Sequence, residues 1–407
     1  MENSINSKIG TFSSIGIESF LYYIAFACYL ISVELSLVNI EGICGISLED
    51  IRFFFQSIAL FALLFKALIQ QYSVLQLLES VALIGICFLS WRYSNANLMF
   101  WASLFIVSGQ GICLRAIAKI AFSVYLIIFV LTVFFALSGV IDSAYMERGS
   151  DYYARSSMGF AHPNYFGRFL FEICISFALM REGKFDWKVI VLCCISICLI
   201  ANVSDSRTAM VGIVFLLLSL FVYNLLKGRK RILLILFSLM FVCVVISSYY
   251  IMLFYNPSNY IESQLNELLT GRMYLANFYY SIGGFHLLGN NFSDAPVLHY
   301  RMGDTNLILD NSFCLMLLRD GILVAFFFFL GTVILIVKAY KANSFNICLL
   351  GFFVVGFVGL SEAYMVGFDT NYCMLAFSAA LFSKPIDSLD PSIETAKNKI
   401  NKGRYRD

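Results

Sequence analysis

The sequence predicts an all-α polytopic integral membrane protein, because its composition lies far outside the usage of soluble domains. Of its 407 residues, 60% are hydrophobic and only 13% are charged, and the mean hydropathy is +0.81. An average soluble domain carries about 25% charged residues. The chain also has only 5 prolines against 41 phenylalanines, which suits long unbroken helices. The formal net charge of +2 gives no indication of a nucleic-acid partner.

Hydropathy predicts a bundle of about 12 transmembrane helices, since each apolar stretch approaches the ~20 residues that span a bilayer. The stretches lie near residues 15–38, 51–68, 74–90, 98–114, 117–140, 163–180, 187–203, 208–226, 232–254, 321–337, 346–366 and 371–383. The first is longer than a signal-peptide core, so we expect it to be retained as a helix. We therefore expect a transmembrane domain over residues 1–384 and a cytoplasmic tail over 385–407.

The basic residues predict that both termini are cytoplasmic. With that orientation, every lysine falls in an inner link or in the tail. The basic residues left at or near the outer face are all arginines: Arg52, Arg92, Arg148, Arg155, Arg168, Arg207, Arg272, Arg301 and Arg319. An outer face that keeps arginine and excludes lysine suggests selection for the planar guanidinium, which holds phosphate or carboxylate with two hydrogen bonds.

One large external loop is expected over residues 255–309, the longest polar segment of the chain. It contains Arg272, His286, His299 and Arg301, and uncharged stretches flank it on both sides. All the histidines and most carboxylates fall on the same predicted face. The chemistry of the protein is therefore expected at the outer surface.

A second outer cluster surrounds His162. Pro163 suits the first turn of a helix that enters the membrane, and Asn164, Arg168 and Glu172 follow at four-residue spacing, so they share one helix face. Charges at that depth must face the bundle interior and find partners. A functional site and a structural Arg168–Glu172 pair both fit this pattern.

The remaining clusters are short outer-face motifs. Arg207 follows Asp205 and Ser206 at a helix start, where backbone N–H groups favour an anion and where either preceding residue can instead act as a cap. The other motifs contain Arg272, Asp310 with Asn311, and Glu362. For these, a helix cap or an ordinary polar loop is the alternative to a functional role.

Taken together, five motifs in order resemble the O-antigen polymerase and ligase superfamily. They are a Gly-Phe-x-His-Pro-Asn box, a Ser-Arg, a Gly-Arg in the large loop, an Asp-Asn-Ser box and a late outer-face Glu, between about Arg155 and Tyr364. The resemblance implies a membrane glycosyltransferase that uses undecaprenyl-diphosphate-linked sugars without a nucleotide donor, metal or other cofactor. Two external arginines hold the donor diphosphate in the ligase branch, and Arg207 and Arg272 look like their counterparts. That branch has a functional histidine before an Asn, whereas Asp310 precedes Asn311 here, which favours the polymerase branch.

The residues themselves suit the same reaction. Transfer from a lipid diphosphate needs cations on the leaving group and a base for the attacking hydroxyl. Arg207 and Arg272 can stabilise the diphosphate, and the sequence has no Asp-x-Asp pair that would suggest a bound divalent cation. The candidate bases are His162, Asp310 and Glu362. The expected supporting residues are Asn164, Arg168, Glu172 and Asn311.

The expected function is polymerisation of lipid-linked oligosaccharide repeat units at the outer face of the bacterial cytoplasmic membrane, yielding O-antigen, capsular or exopolysaccharide. The expected partners are undecaprenyl-diphosphate-linked glycans, with a chain-length regulator and a flippase in the same membrane and no nucleic acid. An O-antigen ligase is the alternative within this chemistry. A lipid-linked oligosaccharide flippase is the alternative from another class, and it should carry ionisable residues near the midplane and repeated halves.

Overall fold

The computed structural model describes residues 16–43, 45–148, 151–269, 271–292 and 309–382, and it is mostly helical there, which confirms the all-α prediction. The helices of the first half are α1 (Ile17–Leu35), α2 (Leu48–Ile69), α3 (Val74–Ser94), α4 (Leu98–Val107), α5 (Leu114–Leu137), α6 (Pro163–Met180) and α7 (Trp187–Val203). The later ones are α8 (Arg207–Leu225), α9 (Lys230–Phe254), α10 (Tyr260–Leu268), α11 (Arg272–Gly283), α12 (Ser312–Leu315), α13 (Ile322–Lys341), α14 (Ile347–Val358) and α15 (Leu375–Leu381).

Helices α1, α2, α3, α5, α8, α9 and α13 are long and apolar enough to cross a membrane. Shorter apolar helices lie at Leu98–Val107, Trp187–Val203, Ile347–Val358 and Tyr372–Leu381. Large apolar side chains cover the outside of the bundle: Phe53 is 74% exposed and Leu68 is 82% exposed. A surface of this kind is stable in lipid and unfavourable in water. The described residues therefore form a membrane-type helical bundle.

Several predicted boundaries differ from the structure. Helix α4 ends at Val107 instead of near residue 114, because Gly109 and Gly111 follow it and Gly111 has a positive φ of 75°. Helix α14 ends at Val358, so Glu362 lies beyond it. The large polar loop contains helices α10 and α11, and its second part, residues 293–308, lies outside the described residues.

Two short antiparallel hairpins were not expected from the sequence. The first pairs β1 (Gly42–Ile43) with β2 (Ile46–Ser47), and the second pairs β3 (Tyr145–Arg148) with β4 (Asp151–Ser156). The second hairpin leads towards α6, where Ala161 donates its backbone N–H to Leu37 O at 2.9 Å. The start of α6 is thereby fixed against the end of α1.

Two of the basic links that the sequence places on one side lie together at one end of the bundle. Arg115, Lys119, Arg181 and Lys184 line a common shallow pocket, and Arg115 forms an ion pair with Glu182. This end comprises the start of α5 and the end of α6. The motif residues at the start of α6 therefore lie at the opposite end.

Aromatic packing holds the C-terminal segment in the bundle. The rings of Phe105 and Phe368 stack at a centroid distance of 4.5 Å, and Phe26 contacts Phe368 edge-on at 5.9 Å. Offset stacking and edge-to-face contacts add to the free energy of burial. They fix Phe368 between α1 and α4, and with it the position of the next residue, Asp369.

Candidate functional site

Arg272 is the centre of a cluster built from three distant parts of the chain. Its Nη2 donates to Glu362 Oε1 at 2.8 Å and to Asp310 Oδ2 at 3.2 Å, and its Nε donates to the same Asp310 oxygen at 3.3 Å. Its Nη1 donates to Thr208 Oγ1 at 2.8 Å. Gly271, with a φ of 83°, precedes it and allows α11 to begin at Arg272. One guanidinium therefore joins two carboxylates and a helix start.

Asn311 and Ser312 hold the two carboxylates in place. Asn311 is buried and caps α12 by accepting from Phe313 N and Cys314 N, while its Nδ2 donates to Leu360 O at 2.9 Å. Ser312 Oγ donates to the backbone carbonyl of Glu362 at 2.5 Å. The segment after Asp310 is thus fixed to the segment before Glu362.

Arg207 lies at the first position of α8, as predicted, directly before the threonine that contacts Arg272. Its side chain is 50% exposed, and its Nε lies 3.8 Å from Asp205 Oδ2. Ser206 occupies the cap position but makes no side-chain capping bond, so the expected serine cap is absent. Arg207 is therefore the first residue of α8, and Arg272 bonds the second, at a helix N-terminus where the dipole and backbone N–H groups favour an anion.

The electrostatics of the cluster are those of two carboxylates around one arginine. Burial raises the pKa of Glu362 to about 7, the Arg272 charge opposes that rise, and Asp310 adds to it. Burial likewise raises the pKa of Asp310, with Arg272 acting against the rise. Burial lowers the pKa of Arg272, but the two carboxylates outweigh it and leave this pKa raised. A proton near neutral pH can therefore reside on this cluster.

His162 occupies the cap position of α6. Its Nδ1 accepts from Asn164 N at 3.0 Å, and Pro163 takes the first helical position, as predicted. Burial, with a contribution from Arg155, lowers the pKa of His162. Protonation at Nδ1 would break the cap, so the geometry gives His162 a role at the helix entry and weakens it as a base.

A short polar chain links His162 to the start of α8. Asn164 Oδ1 accepts from Arg155 Nη2 at 2.5 Å, and Arg155 Nε donates to Ser204 O at 2.6 Å. Ser204 lies three residues before Arg207. The motif around His162 and the motif around Arg207 are therefore parts of one arrangement.

Arg168 forms a second, deeper cluster. Its Nη2 donates to Glu34 Oε1 at 2.7 Å and to Asp369 Oδ2 at 2.9 Å, and the guanidinium lies 5.7 Å from the ring centre of Tyr364. Arg168 also contributes to the electrostatic environment of Glu362. The two arginine clusters are therefore electrostatic neighbours.

Glu172 does not pair with Arg168, so the self-satisfied pair suggested by their spacing is not formed. Both of its carboxylate oxygens are buried, and no described residue forms a hydrogen bond with them. The Arg168 guanidinium bonds Glu34 Oε1 and Asp369 Oδ2 instead, so its charge is already matched by carboxylates from other parts of the chain. Glu172 is left as a buried acid one helical turn deeper.

The structure brings Arg207, Arg272, Asp310, Asn311 and Glu362 together around the start of α8. Sequence reasoning had no role for four further residues: Thr208, Arg155, Glu34 and Asp369. A charge inside an apolar helix is a functional signal in its own right, and Glu34 carried that signal. His286 contributes a backbone carbonyl that accepts from Ile322 N at 3.0 Å, while His299 and Arg301 lie outside the described residues.

Comparisons of the chain with family models, with curated proteins and with solved structures found no match. Evidence for function therefore comes from the side chains around Arg272 and Arg207 and from the order of the five sequence motifs.

Proposed function

We propose that the chain is a membrane glycosyltransferase that polymerises undecaprenyl-diphosphate-linked oligosaccharide repeat units. One observation supports the proposal: Arg272, held between Asp310 and Glu362, bonds Thr208, which follows Arg207 at the N-terminus of α8. Such a site offers cations and helix N–H groups for a diphosphate and carboxylates for a proton. The resemblance of the five motifs points to the same reaction.

Arg207 suits the first contact with the donor diphosphate. It is half exposed, and its 3.8 Å approach to the partly exposed Asp205 is a weak surface pair that a phosphate can replace. An arginine can give a phosphate two charge-assisted hydrogen bonds. Helix N–H groups beside it add to the attraction.

Arg272 has one partner that it can exchange. Its bonds to Asp310, at 3.2 and 3.3 Å, are longer than its bond to Glu362 at 2.8 Å, and Asp310 is the more exposed carboxylate, at 27% against 10%. A diphosphate oxygen that binds Arg272 displaces Asp310. Glu362 stays bonded and keeps the guanidinium oriented.

Release from Arg272 makes Asp310 the base. Arg272 lowers the pKa of this carboxyl, so its loss as a partner makes Asp310 a stronger proton acceptor. The hydroxyl oxygen of the acceptor sugar attacks the anomeric carbon of the donor, and its proton passes to Asp310. The bond from that carbon to the diphosphate oxygen breaks, and undecaprenyl diphosphate leaves with its charge on the arginines.

We propose that about twelve helices cross the cytoplasmic membrane with both termini inside, so that the site faces outward. The exclusion of lysine from the predicted outer face supports this orientation. The donor is then a growing chain on its lipid diphosphate and the acceptor a single lipid-linked unit. A flippase supplies the single lipid-linked units, and a chain-length regulator acts in the same membrane. A cysteine at Gly228, between α8 and α9, should react only after the membrane is permeabilised; labelling from outside would reverse the orientation.

A flippase is the second candidate, because of the Arg168 cluster. Glu172 lies about 14 Å along α6 from Pro163, a depth close to the middle of a bilayer, and it is a buried acid without a partner. A transporter is expected to carry ionisable groups at that depth. The motif residues at the helix ends favour the transferase.

The length distribution of surface glycan, compared with and without the gene, separates the candidates. Loss of a polymerase leaves single repeat units attached at the surface. Loss of a ligase leaves no glycan attached, and loss of a flippase strands units inside the cell. Either of the last two patterns would refute the polymerase.

A further inference from the structure

A long apolar groove lies between α3, α4, α13 and α15, apart from the arginine clusters. Its volume is about 570 Å³, and most of its walls are apolar, as at Leu83, Ile106, Phe328 and Phe377. All four helices belong to the apolar set that forms the bundle. A groove of this composition suits the hydrocarbon chain of a lipid.

The charged residues that line the groove lie in one half of it, the half nearer the start of α3 and the end of α13. Glu79, near the start of α3, and Lys338, near the end of α13, both line it, together with the polar Ser73 and Gln76. Lys338 donates to the backbone carbonyl of Ala380, and within the described part of the chain neither Glu79 nor Lys338 forms an ion pair. A carboxylate and an ammonium are thus both available to a ligand with two opposite charges.

The charged end is the one away from Arg272. Lys338 lies about 24 Å along α13 from Ile322, which follows the segment that holds Asp310. The opposite end of the groove is lined by Met99 and Val324. Between Val324 and Lys338 the groove runs about 21 Å, longer than the ~15 Å of one bilayer leaflet.

We infer that this groove binds a phospholipid with a zwitterionic ethanolamine headgroup, from the leaflet opposite the arginine site. The phosphate contacts Lys338, the ammonium contacts Glu79, and an acyl chain fills the apolar walls. A lipid diphosphate fits less well, because it carries no cation for Glu79. The inference depends on the membrane setting of the bundle and is independent of the glycosyltransferase.

Native mass spectrometry of the detergent-purified full chain tests this inference. Phosphatidylethanolamine, phosphatidylglycerol and undecaprenyl diphosphate are added separately at equal concentration, and the retained adducts are compared. The test variants are Lys338→Gln, Glu79→Gln and Gly331→Leu, the last of which fills the groove from α13. The matched controls are Lys341→Gln, one turn away on the same helix, and Gly85→Leu on α3, where an added Cβ atom meets nothing within 4 Å.

Phosphatidylethanolamine should be retained best, and each charge variant should lower its retention about fivefold, the factor that corresponds to about 1 kcal/mol. Gly331→Leu should lower it further, and both controls should match the unmodified chain. Preferred retention of undecaprenyl diphosphate would overturn the inference. Unchanged phosphatidylethanolamine retention in Glu79→Gln would also overturn it and would indicate an anionic lipid. Equal retention in Gly331→Leu and Gly85→Leu would overturn it as well.

Discussion

Arg272 and Arg168 are built alike and differ in their surroundings. Each arginine lies between two carboxylates, and their side chains are almost equally exposed, at 14% and 13%. The partners differ: Asp310 is 27% exposed and Arg207, beside the cluster, is 50% exposed, whereas Glu34 is fully buried. The burial of an arginine therefore says little about its role, and the exposure of its partners says more.

The difference assigns separate tasks to the two clusters. Arg168 joins α1, α6 and the C-terminal segment at Asp369, which makes it a structural tie between distant parts of the chain. Arg272 joins residues that a ligand can reach, and its longest bonds go to the more exposed partner. We expect loss of the first to affect folding and loss of the second to affect the reaction.

The largest expected effect is that of Arg168→Met on folding. The change leaves Glu34 and Asp369 buried without their cation, which should lower the free energy of unfolding by about 3 to 5 kcal/mol. That is a large share of the ~5 to 15 kcal/mol of a typical fold, so protein level and Tm in detergent should both fall. The triple variant with Glu34→Gln and Asp369→Asn removes the unpaired charges and should recover most of the loss. A normal Arg168→Met protein would refute the structural role.

Asp310→Asn should affect the reaction while leaving the fold intact. Without a proton acceptor, polymerisation should slow by about 10²- to 10⁴-fold. His162→Asn is the matched test, because asparagine caps a helix well and cannot act as a base. We expect nearly normal glycan length in that variant. If His162→Asn stops polymerisation and Asp310→Asn does not, His162 is the base.

Arg272→Lys keeps the positive charge but loses the planar guanidinium, which donates several hydrogen bonds at once. One ammonium cannot bond Glu362, Asp310 and Thr208 as the guanidinium does, so transition-state stabilisation should fall by about 2 to 4 kcal/mol, roughly a hundredfold or more in rate. Glycan length at matched protein level measures this effect. Arg92→Lys, at an exposed helix end, is the control and should be silent. Equal glycan length in Arg272→Lys and Arg92→Lys would show that Arg272 has no special part in the reaction.

The smallest expected effect is the pH dependence that Glu362 gives to stability. Burial raises the pKa of this carboxyl from 4.5 to about 7, so its protonated form stabilises the fold below pH 4.5 and that contribution is lost as pH rises through 7. The loss amounts to at most about 3 kcal/mol. Tm should therefore fall between pH 5 and 8 more steeply in the unmodified protein than in Glu362→Gln. If Tm falls equally steeply with pH in both proteins, the pKa of Glu362 is not raised by burial and its environment is more polar than the structure indicates.

The sequence predicted the helical membrane-type bundle and singled out Arg272, Asp310 and Glu362, but not Thr208, because apolar runs and short motifs are local signals. It did not predict the partners of Arg168. Glu34 and Asp369 lie 134 and 201 residues away from it, and only packing such as the Phe105–Phe368 stack brings them close. The i to i+4 spacing pointed instead to Glu172, but Arg168 bonds the two distant carboxylates in its place.

A role for His162 in shaping the helix entry, through a bond to a loop carbonyl, was the alternative to its role as a base, but the contact with Asn164 N was not predicted. A histidine before a proline at an outer helix end suits a base as well as a cap, and only the 3.0 Å contact of its Nδ1 with Asn164 N favours the cap. The neutral form that this contact requires agrees with the lowered pKa of His162. Whether His162 is a base or a cap depends on what its Nδ1 atom contacts, and a sequence motif does not reveal that contact.

The central claim is tested most directly by the purified protein in liposomes supplied with an undecaprenyl-diphosphate-linked repeat unit. Products would be separated by glycan length, and released undecaprenyl diphosphate would be measured in the same samples. We predict a ladder of longer lipid-linked chains with one undecaprenyl diphosphate released per added unit, and almost no ladder with Arg272→Lys or Asp310→Asn. Unchanged single units that merely move across the bilayer would contradict a glycosyltransferase and establish transport instead.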